Sequence, residues 1–309
     1  MLVPLPHMLA QARAGSYALG YFEAWDSYSL EAVIEAAEAE DAPVILGFGC
    51  MMVSQDWLDT GGIETLGSLG HTLAQRTHVP VAFLLNEAHT YQECLAGMQA
   101  GFNAVMLDTS AWPNEAAIEE ISKLVEVAHA QGVAVEAELG HLPDAIEQGI
   151  DASAASLTDP EEAARFVEQT GIDCLAVSIG NVHLLTHDVA PIDLSRLAAI
   201  HKRVALPLVI HGGTGFPPEV VPEAIRYGAA KFNVGTILKK AFWAGIRESV
   251  LALDASASVH DVLGSHREGD YLLAGKRAMQ AKVQAFLQLY GSRGHAHDIH
   301  LHSVPSSFI

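Results

Sequence analysis

The 309-residue chain is expected to form one α/β domain, a (β/α)8 TIM-type barrel. Three observations predict it. A short apolar strand, a loop and an amphipathic helix recur eight times along the sequence. No Ser/Gly-rich linker or break in composition divides them. No G-x-G-x-x-G follows the first strand, which argues against an open doubly wound sheet.

In order, Pro6 to Ala14 reads as a leading helix closed by Gly15. Tyr17 to Phe22 is the first strand, with a helix through Leu30, Val33, Ile34 and Ala37. Val44 to Gly47 precedes a helix over Leu66 to Arg76, and Val81 to Leu85 one over Tyr91 to Ala100. Ala104 to Leu107 leads into a helix from Glu115 to Gln131. After Val133 to Ala137 a longer loop runs to the helix opened by Asp159-Pro160-Glu161-Glu162. Cys174 to Ser178 precedes a helix at Leu194 to His201, and Leu208 to Ile210 one after Pro217-Pro218. Lys231 to Val234 is the eighth strand, followed by a helix from Ile237 to Val250. One more amphipathic helix, Gly275 to Leu289, either covers the barrel or packs a partner subunit. The barrel is expected over residues 1–291 and a tail over 292–309. His295, His297, His300 and His302 make that tail read as a solvated terminus rather than a metal site.

Half the residues are hydrophobic and 17% are charged, a balance suited to a compact enzyme with a large core. Seventeen Lys plus Arg stand against 37 Asp plus Glu, a formal net charge of −20. With no basic run, that charge argues against nucleic acid and against anionic membrane surfaces. A bound anion must be held by local backbone donors or a metal. Cys50, Cys94 and Cys174 are too few and scattered for a disulfide framework and read as buried small hydrophobes. The N-terminus lacks a secretory signal pattern, and no apolar run approaches the roughly 20 residues that span a bilayer, so a cytoplasmic location is expected.

The chemistry centres on Leu208-Val209-Ile210-His211-Gly212-Gly213-Thr214-Gly215. An imidazole stands where a buried strand ends, and a glycine turn follows whose backbone N–H groups can converge on an anion. Active sites of (β/α)8 barrels lie at the carboxyl ends of the strands. Those ends carry Asn86, Glu87, Asp108, Glu138, His183, His211, Asn233 and Thr236. Two imidazoles with a carboxylate form a usual catalytic zinc set, and zinc can stabilise a carbanion as its enediolate. Gly212, Gly213 and Thr214, with Asn233, Val234, Gly235 and Thr236, fall where such barrels commonly hold phosphate.

Further motifs complete the pattern: Ala32-Val33-Ile34-Glu35-Ala36-Ala37-Glu38, Pro43-Val44-Ile45-Leu46-Gly47, Val105-Met106-Leu107-Asp108, Val135-Glu136-Ala137-Glu138-Leu139-Gly140, Leu157-Thr158-Asp159-Pro160-Glu161-Glu162, Leu175-Ala176-Val177-Ser178-Ile179-Gly180 ahead of His183, His211-Gly212-Gly213, and Lys231-Phe232-Asn233-Val234. With these, the chain from Val3 to Gly291 resembles the class II ketose-bisphosphate aldolases, the zinc-dependent fructose- and tagatose-bisphosphate aldolase family. The resemblance implies Zn2+ or another divalent metal on His183 and His211, with Asp108 and Glu138 at a second or alternative metal position. It implies a phosphate cradle at Gly212 to Thr214 and Asn233 to Thr236, a small-molecule sugar phosphate as partner, and a homodimer or homotetramer.

The departures from the family cluster at the chemistry. Leu85-Asn86-Glu87-Ala88 stands where the family has Leu-Asp-His-Gly, so Asn86 replaces the general acid/base and Glu87 replaces a zinc-binding imidazole. Phe22-Glu23-Ala24-Trp25-Asp26 stands where the family has Phe-Asn-Val and a His or Asn. Leu184 replaces a glycine after His183. Glu147 lies near the family's loop acid, and Glu23 and Asp26 are further candidates for a base. The expectation is a metal-dependent aldolase-type lyase on a phosphorylated ketose or related sugar acid, with Glu87 among the metal ligands. A metal-dependent isomerase or epimerase and a non-catalytic sugar-phosphate-binding protein remain open as alternatives.

Overall fold

The computed structural model describes residues 1–140, 157–181, 192–254 and 256–299. Eight parallel strands close in sequence order: β1 Leu19–Glu23, β2 Val44–Gly49, β3 Val81–Ala88, β4 Ala104–Leu107, β5 Ala134–Leu139, β6 Cys174–Val177, β7 Leu208–Ile210 and β8 Ala229–Val234. β1 closes the barrel on β8, with Leu19 opposite Lys231 and Tyr21 opposite Asn233. The helices are α1 Leu5–Gly15, α2 Ser27–Ala39, α3 Gln55–Trp57, α4 Ile63–Arg76, α5 Tyr91–Gln99, α6 Asn114–His129, α7 Pro160–Thr170, α8 Leu194–Arg203, α9 Val221–Arg226, α10 Thr236–Ala252, α11 Val259–Val262 and α12 Tyr271–Leu289.

Each unit follows from its local sequence. Asp26 opens α2 by a capping box with Ser29, Thr90 caps α5, and Asp159 accepts from the Glu161 and Glu162 amides ahead of Pro160. Two strands run longer than their apolar stretches. β3 continues through Asn86 and Glu87, and β5 through Glu138, because ladder bonds ignore side-chain polarity. Asn86 pairs with Gly49 and Glu138 with Ala176. The polar side chains that look like strand ends therefore belong to the strands and turn into the barrel mouth.

Alternation along the strands separates two cores. Outward strand residues such as Phe22, Phe48 and Phe83 pack under the helices, with Phe83 stacked on Phe102 of the loop before β4 at 4.0 Å. Inward residues such as Ile45, Leu84 and Val209 pack on Leu5, Met8 and Leu9 of α1, which plugs the amino-terminal end of the barrel. Fully burying each of those three α1 side chains stabilises by roughly 1.5–3 kcal/mol. The Val3 amide donates to Val81 O at 2.9 Å and Asn103 Nδ2 to Val3 O at 2.9 Å, fixing the plug to β3 and β4. The opposite end is left to polar groups.

Helix α12 packs on α10 and α2 and so covers the barrel, held by Lys276 Nζ to Glu31 at 2.7 Å and Glu35 at 2.6 Å. The segment after it is docked rather than solvated as far as Ile299: Ser292, Ala296 and Ile299 are buried, and the His295 ring stacks on Tyr17. His300 and His302 lie outside the described residues. Cys50, Cys94 and Cys174 are buried and unpaired with one another. Among the described residues no helix is long and apolar enough to cross a membrane.

Candidate active site

At the carboxyl end of the barrel the inward positions of five strands meet around His211. Its imidazole is buried at the end of β7, and the Asn181 side-chain amide donates to its carbonyl at 2.9 Å. Ring nitrogen Nε2 lies 3.0 Å from Glu136 Oε1 of β5. Nδ1 faces two other carboxylates, Glu87 Oε1 of β3 at 3.2 Å and Glu138 Oε2 of β5 at 3.5 Å. Lys231 of β8, itself fully buried, donates to both oxygens of Glu136 and, at 2.6 Å, to Asn233 Oδ1. That last bond fixes the Asn233 amide, whose nitrogen lies 2.9 Å from His211 Nε2. The Lys231 ammonium also sits 5.0 Å from the centre of the Tyr21 ring.

Charge in a dry site is tolerated here because it is paired. Burial raises the Glu136 carboxyl, but Lys231 and His211 outweigh it and hold the group down to about 2. Burial lowers His211, yet its bonds to Glu136 and Glu87 carry it up to about 10. Glu138 is pushed up to about 7 by burial, partly offset by His211 and reinforced by Glu87 and Asp108. The metal-free site therefore holds an imidazolium among carboxylates.

Glu87 adopts a left-handed φ of 54°, at the bulge where β3 shifts register against β4 between Leu85 and Ala88. Such a conformation costs a non-glycine residue of order 1–3 kcal/mol and recurs at active sites. It turns the carboxylate toward His211. The preceding Asn86 is buried, and its Oδ1 has no hydrogen-bond partner among the described residues; the same is true of the Tyr21 hydroxyl. Both line one small cavity together with Glu23, Glu87, His211, Gly212, Thr214 and residues 233 to 236. Burial and the neighbouring acids push the Tyr21 hydroxyl well up, so it remains a donor.

The sequence-predicted residues fall into three groups. Asn86, Glu87, Glu138 and His211 come together, as do Gly212, Thr214, Asn233, Val234, Gly235 and Thr236. Gly213 stands behind the cavity: a Cβ there would lie 2.7 Å from Asn233 O, so its glycine serves the approach of β7 to β8. The Thr214 hydroxyl accepts from the Ile237 amide at 3.3 Å. Asp108 is set slightly apart, its Oδ1 accepting from the Ser110 amide at 2.9 Å. His183 and Glu147 lie outside the described residues. Asp26 is engaged as the cap of α2, and Glu23 pairs with Lys239 at 2.9 Å. Sequence reasoning missed Tyr21, Glu136, Lys231 and Lys239. For Glu136 and Lys231 the available signal was a Glu or Lys two residues before a candidate on the same strand, hence on the same inward face.

Among the described residues, no three His, Cys, Asp or Glu are already set around a common metal position. Residues 3–295 match the family model for class II fructose-bisphosphate aldolase. A fructose-bisphosphate aldolase of Geobacillus stearothermophilus is 36% identical over 96% of this chain and 99% of its own length. One from Thermus caldophilus is 36% identical over 96% and 100%. Among solved structures, the YdjI aldolase of Escherichia coli K12 superposes with a TM-score of 0.80 at 28% identity, covering 96% of this chain and 100% of that one. With the barrel closed and the polar groups gathered at its carboxyl end, these matches make the chain a member of the class II fructose-bisphosphate aldolase family, and so an aldolase-type lyase.

Proposed function

We propose that the enzyme is a divalent-metal-dependent aldolase that makes or breaks a C–C bond in a polyhydroxylated ketose or sugar acid. The observation that carries the reading is the orientation of His211. Nε2 is taken up inside the barrel, between Glu136 Oε1 and the Asn233 amide nitrogen that Lys231 orients, which leaves Nδ1 as the nitrogen facing a cation. Glu87 and Glu138 oxygens face Nδ1 at 3.2 and 3.5 Å and would hold the ion with it once the three groups draw together around it. His183, by the family resemblance, supplies a further imidazole, and Asp108 remains a candidate for an alternative position.

A cation held there by His211, Glu87 and Glu138 would supply polarisation of a substrate carbonyl and stabilisation of negative charge on the adjacent carbon. The chain's own residues do the rest. Lys231, Glu136 and Asn233 lock the imidazole in place. The partnerless Asn86 Oδ1 accepts from a substrate hydroxyl, positioning it without taking its proton, since an amide has no usable basicity near neutral pH. Tyr21 donates to a substrate oxygen from the other side of the cavity. The proton on the cleaved hydroxyl must go to a carboxylate elsewhere, since residue 86 is an amide; by the family resemblance, Glu147 is the candidate.

The test is metal analysis of the purified enzyme, with a cleavage assay on a panel of ketoses and sugar acids before and after chelation and zinc or cobalt replacement. Bound divalent metal and chelator-sensitive release of a smaller carbonyl product are expected. A metal-free enzyme that cleaves the same substrates unchanged in chelator contradicts the reading.

A further inference from the structure

We infer that Glu23 fills the position a substrate phosphate would take, so that the substrate presents a neutral hydroxyl at the β8–α10 end of the site. The inference rests on the aldolase reading only for which end of the substrate lies there. The anion site itself is on display. Helix α10 is 17 residues long and starts at Thr236 behind Gly235, which brings no capping side chain, and its first turn meets only the Thr214 hydroxyl on the Ile237 amide among the described residues, so its amino end favours negative charge. Lys239, one turn in, supplies a full positive charge.

That site is already occupied from within the chain. The Glu23 carboxylate is largely buried, accepts from Lys239 Nζ at 2.9 Å, and lies so close to Gly235 that a Cβ there would overlap Oε2. On the other side a Cβ on Gly49 would sit 3.5 Å from Glu23 Oε1. Gly235 thus leaves room for the carboxylate beside α10, while at Gly49 even a Cβ would make only ordinary contact with it. The lysine is held as well, with its ammonium 5.5 Å from the centre of the Trp25 ring. Among the described residues that line the cavity there is no lysine or arginine to hold a second anion, and Lys231 beneath it is bound to Glu136. An incoming phosphate dianion would meet Glu23 directly and Glu87 across the same cavity. A hydroxyl, in contrast, can donate to Glu23 without disturbing the pair.

The experiment is calorimetric titration of the native enzyme, Glu23→Gln and Glu23→Asn with inorganic phosphate and with glycerol 3-phosphate, after checking by circular dichroism that each variant melts as a folded protein. Glu23→Gln keeps the shape and removes the charge, so it decides the matter should Glu23→Asn fail to fold. Both variants are expected to bind the two probes at least about tenfold more tightly than the native enzyme, and a further Lys239→Met change to abolish the gain. Native affinity equal to or greater than that of Glu23→Gln overturns the inference. A cleavage panel of phosphorylated and unphosphorylated ketoses, run in parallel, separates the two levels. Absence of any cleavage defeats the aldolase reading, while the titration still decides whether Glu23 excludes phosphate.

Discussion

His211, Glu136 and Glu138 set the pH behaviour of the site, and each acts with its own sign. Glu136 lies below its ordinary 4.5, at about 2, so its contribution to stability is whole above about pH 4.5 and is lost as the pH falls toward 2. His211 is raised from 6.5 to about 10, so its contribution is whole below about pH 6.5 and lost as the pH climbs toward 10. Glu138 is raised from 4.5 to about 7, and ionising it costs stability progressively across that interval. Metal-free enzyme should therefore melt highest between about pH 4.5 and 6.5. Scanning calorimetry across pH checks this, and Glu138→Gln should flatten the decline between 4.5 and about 7. A native profile that rises steadily from pH 5 to 9 without metal would contradict the assignment. Metal uptake at His211 must also displace the imidazolium proton, so affinity should increase with pH over the same range.

At the scale of the element, β3 carries the departure from the family. Its left-handed Glu87 means that Glu87→Gly should relieve backbone strain, leaving the melting temperature equal or higher, while retained metal falls at least about tenfold. Equal metal retention would remove Glu87 from the ligand set. The pair Asn86→Asp and Glu87→His restores a general base and an imidazole, and a positioned base contributes typically 10²–10⁴-fold. With Glu23 still filling the end of α10, those two changes alone should leave fructose bisphosphate uncleaved in a coupled triose-phosphate assay. Adding Glu23→Asn should give cleavage; activity without it would show that Glu23 does not exclude phosphate. Much of this strand was legible. Asn86 and Glu87 were marked by their place after an apolar run, and the turn at Gly212 by its glycines. The positions of Glu136 and Lys231 were less so, since a charged residue inside an apolar strand gives no local sign of its partner. Glu136 and Lys231 are 95 residues apart and meet only because the barrel closes. Asp26 looked like a possible base, but local capping of α2 claims it.

At the scale of the molecule, eight alternating units read directly from periodicity, because each helix and strand buries one face against its neighbours. The docking of the C-terminal segment did not, since Ile299 owes its burial to a cluster that also holds Leu5 and Leu9 near the other end of the chain. Ile299→Ala should cost about 2–5 kcal/mol in chemical denaturation, the usual range for emptying a buried aliphatic site. A loss below about 0.5 kcal/mol, the surface range, would mean the segment is not part of the folded unit. The most direct test of the whole account is a crystal structure of the zinc-loaded enzyme read at the metal's absorption edge. The expected result is an anomalous peak within about 2.0–2.1 Å of His211 Nδ1, with Glu87 bound to the same ion. A fully loaded, active enzyme whose peak lies elsewhere, with Nδ1 still hydrogen-bonded to Glu87, would contradict it.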